Sequence, residues 1–129
     1  MNGRFLIDTN IVIALFGNER AVLQHLTPEV EVFTSAIVLG EVYYGAYKSS
    51  RIQENISRIN QFASRAAVLE CDRVTAQLYG QIKDALRRKG RPIPENDIWI
   101  AAIAMQHDLT LVTRDSHFEE MDGLSVTRW

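Results

Sequence analysis

The feature that most constrains this chain is a steady alternation of short aliphatic runs with longer segments of helical period. RFLI at 4–7, VEVFT at 30–34, AAVL at 66–69, LTLVT at 109–113 and LSVTR at 124–128 each have the length and β-branched content of a strand. Between them lie an apolar segment from Ile11 to Phe16, a helix from Glu19 to Leu26 stopped by Pro28, and a helix that Ser35 caps and that runs to about Tyr47. Ile52, Ile56, Ile59 and Phe62 mark one amphipathic stripe, and Val74, Leu78, Ile82 and Leu86 mark another. The second stripe ends at Gly90, a left-handed cap before the kinked RPIPEN. Asn96 or Asp97 then opens the helix IWIAAIAMQH, and RDSHFEEM forms a turn or short helix. Strands alternating with helices predict an α/β fold, a central mainly parallel sheet flanked by helices, with LSVTR as its edge.

At 129 residues and 47% apolar, the chain is expected to form one domain over 1–129, burying about two-thirds of its unfolded surface. Its single cysteine, Cys71, follows AAVLE and reads as a small buried side chain with no disulfide partner. No apolar run approaches the roughly 20 residues that span a bilayer, and MNGRFLID places an acid too early for a secretory leader. A cytoplasmic protein is expected. The formal charge of −2 gives no general attraction for polyanions. Arg87-Arg88-Lys89-Gly90-Arg91 is a candidate phosphate contact, although cations also complement the carboxyl end of a helix.

Four acids stand where chemistry is done in such folds. Asp8 directly follows FLI and Asp115 follows LTLVTR, at the carboxyl ends of strands where parallel sheets bind ligands. Asp97 begins a helix after a proline-rich loop, and Glu41 interrupts the otherwise apolar AIVLGEVYYGA. Brought together, they would raise one another's pKa values unless a cation offset the repulsion. Oxygen donors with no cysteine or histidine pair at ligand spacing favour magnesium or manganese over zinc. Each acid also has a structural reading: a helix cap for Asp8 and Asp97, a turn residue for Asp115, and solvent exposure for Glu41.

As an ordered set, IDTNIVI around Asp8, VLGEVYYG around Glu41, NDIWIAAIA from Asn96 and LVTRDSHF around Asp115 resemble the PIN-domain nucleases, and most closely the VapC-type toxins. The resemblance covers essentially the whole chain. It implies a PIN-like three-layer fold and an acidic pocket binding Mg2+ or Mn2+ for endonucleolytic cleavage of RNA. Metal-ligand or catalytic roles then fall on Asp8, Glu41, Asp97 and Asp115, with Asn10 and Thr113 orienting carboxylates or water behind them. Glu119 is the nearest counterpart of a further acid that some relatives carry, and it is left outside the core site.

The chemistry implied is in-line attack by a metal-activated water on a phosphodiester, leaving a 5′-phosphate and a 3′-hydroxyl. The resemblance further implies an antitoxin partner whose tail enters the acidic groove, and a homodimer. Tyr43, Tyr44, Tyr47 and Trp99 have the spacing of core aromatics, with antitoxin contact or base stacking as the functional reading. His107 and His117 read as a helix end and a turn-stabilising side chain, and His25 has no catalytic context. Two rivals share the pattern: a silent PIN-like RNA- or protein-binding module, and a receiver-type phosphoacceptor domain. The latter would need an acid pair at the first strand and a lysine after the last catalytic strand, where this chain has Asp8 alone and Arg114-Asp115.

Overall fold

A computed structural model describes residues 3–129. Met1 and Asn2, where the leader reading begins, lie outside the described residues. One sheet is built from β1 (Arg4–Ile7), β2 (Glu31–Ser35), β3 (Ala67–Leu69), β4 (Thr110–Val112) and β5 (Val126–Thr127). The order is β3-β2-β1-β4-β5, and each neighbouring pair is parallel. The sheet expected to be mainly parallel is therefore parallel throughout.

Parallel neighbours require long crossovers, and helices supply them. α1 (Thr9–Phe16) and α2 (Arg20–Leu23) join β1 to β2, and α3 (Ala36–Tyr47) and α4 (Ile52–Arg65) join β2 to β3. α5 (Arg73–Lys89) and α6 (Glu95–Gln106) lead to β4, and a 3-10 helix at Ser116–Glu120 leads to β5. The chain thus steps outward from β1 to β3, then returns past β1 to build β4 and β5. That reversal opens a crevice beyond the carboxyl ends of β1 and β4. Phe5, Leu6 and Ile7 pair with Thr110, Leu111 and Val112, and the Asp8 amide donates to the Val112 carbonyl at 3.0 Å. Asp8 is consequently held level with the end of β4.

Burial holds the elements around the crevice together. Leu6, Ile7, Leu111 and Val112 fill the central strands, and α6 is apolar nearly all round, with Ile98, Ile100, Ala101, Ala102, Ile103 and Ala104 buried. A helix of that kind belongs inside the protein. α4 has the opposite character: Ile59 is buried, Ile56 and Phe62 pack beside it, and Ile52 stays exposed. Local signals set several ends: Ser35 Oγ accepts the Val38 amide at 3.1 Å, and Gly90 takes φ +68° to close α5.

Some expected boundaries move. The helix expected from Glu19 to Leu26 shrinks to α2, because Val22 is its one buried residue and the Glu19 side chain at its N-cap makes no capping bond. The edge strand expected from Leu124 to Arg128 pairs only through Val126 and Thr127, since β4 is itself three residues long. Pro94, not Asn96 or Asp97, caps α6; its carbonyl accepts the amides of Asp97 and Ile98 at 3.1 and 3.3 Å. Asp97 is therefore inside the first turn, with its carboxylate released from capping. Cys71 is exposed and not buried, because β3 ends at Leu69 and the chain leaves the sheet before it. Partial desolvation, then the neighbouring Asp72 charge, pushes the Cys71 thiol up, which disfavours the reactive thiolate. Among the described residues, no helix is long and apolar enough to cross a membrane.

Candidate active site

Asp8 is the centre of the crevice and is only 5% exposed. Its backbone caps α1, and its Oδ1 accepts the Thr9 amide at 2.8 Å. Its Oδ2 accepts the Thr113 hydroxyl at 2.7 Å. Capping and site geometry thus coexist, because each carboxylate oxygen keeps a second acceptor direction. Burial raises the Asp8 pKa above its ordinary value, the two hydrogen bonds oppose that, and the charges of Glu41 and Asp115 add to it.

Thr113 uses its full bonding capacity. Besides donating to Asp8, its Oγ1 accepts the Asp115 amide at 3.1 Å and the Asn10 side-chain amide at 3.4 Å. Asn10 Oδ1 in turn accepts the Arg114 amide at 3.3 Å. One buried hydroxyl therefore couples the end of β1, the first turn of α1 and the chain after β4. Asn10 and Thr113 thus bond to each other and to the segments that carry Asp8 and Asp115.

The other three acids come from α3, α6 and the turn after β4. Glu41 is half-buried and is held by two groups that were not read from the sequence: the Thr9 hydroxyl donates to Oε1, and Asn96 Nδ2 donates to Oε2 at 3.3 Å. Asp97 has a side chain 14% exposed. Burial, followed by the charges of Asp8, Asp115 and Glu41, pushes its carboxyl up to about 6, with His117 opposing. Asp115 caps the 3-10 helix, its Oδ1 accepting the His117 amide at 2.9 Å. The charges of the other three acids named from sequence therefore reach Asp97, and those of Glu41 and Asp115 also reach Asp8. Glu119 is exposed on the 3-10 helix.

His117 is nearer to this cluster than its sequence setting implied. Its Nδ1 lies 3.1 Å from Asp115 Oδ1 and 3.7 Å from Asp97 Oδ2. The turn-stabilising role expected of it belongs to its backbone amide, while the imidazole faces the acids. His107 closes α6 as expected, and His25 stacks on Trp129 with ring centres 4.7 Å apart.

Around the acids the surface is uneven in charge and polarity. Arg87 and Arg88 pair with Asp84, Lys89 with Asp122 and Arg91 with Glu120, so the basic run is occupied by local acids. An apolar groove of about 250 Å3, lined by Ile13, Phe16, Val42 and Ile59, opens beside Glu41. The aromatics expected in the core divide: Tyr43 is half-buried with its hydroxyl on Asn60, and Trp99 stacks on Tyr79 at 4.1 Å. Tyr44 and Tyr47 are 64% and 62% exposed, because α3 buries the face carrying Val38, Val42 and Ala46. Tyr44 is one turn beyond Glu41, with Lys48 Nζ 4.5 Å above its ring.

A cation fits this donor set. Carboxylates that raise one another in a partly buried pocket are stabilised by a hard divalent ion, and oxygen donors suit magnesium or manganese. A hydrogen bond such as Thr113–Asp8 would orient a ligand for it.

Comparison with known proteins agrees with the geometry. The PIN domain family model matches residues 5–124. The chain is 35% identical to a protein named tRNA(fMet)-specific endonuclease VapC from Shigella flexneri, over 98% of each chain. It is equally similar, over the same shares, to Ribonuclease VapC2 of Haemophilus influenzae. Among solved structures, VapBC2 of Rickettsia felis bound to a promoter DNA fragment superposes with a TM-score of 0.89 at 29% identity, covering 98% of both chains. DNA-bound VapBC from Salmonella typhimurium gives 0.89 at 32% identity, covering 100% of this chain and 99% of that one. The chain belongs to the PIN-domain family, in its VapC-type branch.

Proposed function

We propose that this protein is a metal-dependent endoribonuclease, the toxin of a toxin–antitoxin pair. The observation that carries the reading is the meeting of Asp8, Glu41, Asp97 and Asp115 at the sheet's point of reversal, each from a different element. The names of its VapC relatives supply the substrate class, RNA, and the VapBC complexes supply the partner class. The same reading includes a cytoplasmic location, where an RNA substrate would be met, and a homodimer.

Asp8, Asp97 and Asp115 would hold Mg2+ or Mn2+ directly or through water, and Glu41 would join them or orient the attacking water. When bound, the cation supplies a water of lowered pKa and positive charge for the phosphodiester oxygens. The chain's own residues set the geometry. Thr113 fixes Asp8, Thr9 and Asn96 fix Glu41, and the first turn of buried α6 fixes Asp97. Positions held this firmly need little reorganisation as charge develops. The apolar groove beside Glu41 supports an antitoxin segment entering from that side, its tail reaching the acids.

The test is cleavage of RNA by purified protein with Mg2+ or Mn2+, beside Asp8→Asn. Asparagine keeps an acceptor for the Thr9 amide, so the variant is expected to fold and to lose cleavage. Undiminished cleavage by the folded variant would remove the reading.

A further inference from the structure

We propose that His117 donates Nδ1 to the divalent cation shared with Asp97 and Asp115, and thereby tilts the site towards manganese over magnesium. The proposal rests on the metal reading above and adds to it a nitrogen donor.

Three observations lead to it. One ligand atom each from Asp97, Asp115 and His117 can be chosen so that all lie within 4.8 Å of one another. Ligands on adjacent corners of an octahedral ion with bonds of about 2.1 Å lie about 3 Å apart, and opposite ones about 4.2 Å. His117 Nδ1, at 3.1 Å from Asp115 and 3.7 Å from Asp97, needs only a small side-chain rotation to meet that spacing.

The second observation is anchorage. Phe118 is fully buried, and the His117 amide is bonded to Asp115 Oδ1 at 2.9 Å. Backbone on both sides of the imidazole is thus pinned, while the side chain itself is 52% exposed and able to turn. The third is the identity of the nitrogen facing the acids: it is Nδ1 that meets both carboxylates.

Without metal, an Nδ1–H lies where it can donate to Asp115 Oδ1, 3.1 Å away. Binding a cation requires the neutral tautomer with its proton on Nε2, so that the Nδ1 lone pair replaces that hydrogen bond with a metal bond. Imidazole binds first-row transition ions more readily than magnesium, which keeps to oxygen donors and water. A nitrogen in the set therefore discriminates between ions that four carboxylates alone would separate weakly.

The experiment uses the full chain freed of metal and titrated with Mn2+, beside His117→Gln, whose fold is checked by its unfolding transition. Pulsed electron paramagnetic resonance of bound Mn2+ is expected to show a nitrogen coupling in the unmodified protein and none in the variant. The variant's Mn2+ dissociation constant should rise about tenfold and its Mg2+ constant by less than about threefold. Mn2+ bound without nitrogen coupling, a coupling that persists in the variant, or equal affinity in both proteins overturns the role of His117 and leaves the carboxylate reading standing. Failure of the unmodified chain to bind Mn2+ overturns both.

Discussion

Replacing Asp97 by asparagine in the metal-free protein is expected to remove a pH-dependent instability. In the folded chain its carboxyl is pushed from an ordinary 3.8 up to about 6, by burial first and by Asp8, Asp115 and Glu41 next. A raised acid binds its proton more tightly when folded, so the folded state is favoured below the unfolded pKa and loses ground as pH climbs through the folded one. At about 1.4 kcal/mol per pKa unit, a rise of about two units corresponds to about 3 kcal/mol. The side chain is 14% exposed, so water screens little of this. Urea unfolding in chelator, from pH 4 to 8, measures it. Subtracting the Asp97→Asn curve cancels much of the other titration, and the difference should fall by about 2.4 kcal/mol between pH 4 and 7.5, most of it between pH 4 and 6. With a slope of about 1.5 kcal/mol per molar, that is a relative midpoint shift of about 1.6 M urea. Mg2+ or Mn2+ at 100 times its dissociation constant should return about 2.7 kcal/mol to the unmodified protein at pH 7.5, and less to the variant. A difference curve flat to within about 0.5 kcal/mol would show that Asp97 does not feel the other acids, and the convergent pocket would be refuted.

Two further substitutions separate support from substrate contact. Thr113→Val keeps the side-chain shape but removes the hydroxyl serving Asp8, Asp115 and Asn10. It should cost about 1–3 kcal/mol in stability and lower RNA cleavage by about 10–100-fold, read by unfolding and turnover in parallel; unchanged turnover would remove Thr113 as an orienting residue. Tyr44→Ala, at an exposed ring one turn from Glu41, should leave the unfolding midpoint in place while kcat/KM on RNA falls by about 5–100-fold, as for loss of one stacked base. An unchanged kcat/KM would assign that surface to other uses.

Legibility in the sequence follows the range of the interaction responsible. Ser35 as a cap and Gly90 as a left-handed terminus depend on a few adjacent residues, and both stand where the sequence put them. The end of α2 and the length of β5 depend on what packs or pairs beside them, and there the expected boundaries run too long. Cys71 shows the same limit, because an apolar run does not reveal where the chain leaves the sheet. The acids were visible individually, as residues following strands or interrupting an apolar helix. Their meeting was not, since it needs β1 beside β4, a pairing across more than 100 residues of chain; the ordered family motifs supplied it. Thr9 and Asn96 stood next to two of the acids in the sequence, yet their common bond to Glu41 is visible only once α1, α3 and α6 meet.

His117 is the instructive case. In sequence it follows Asp115 by two residues, and that spacing equally suits a histidine whose amide completes a turn. The turn does form, through the backbone. What spacing could not disclose is that burying Phe118 fixes the turn against the core and leaves the preceding imidazole beside two carboxylates, one of them from a helix that starts some twenty residues earlier. The same short segment therefore serves architecture through its backbone and chemistry through its side chains. Asp8 repeats the pattern, capping α1 while meeting Thr113, and Asp97 departs from it because Pro94 has taken over the cap. Structural and functional readings of an acid at a helix start are thus not alternatives; a cap occupies some of a carboxylate's acceptor directions and leaves the remainder for a cation.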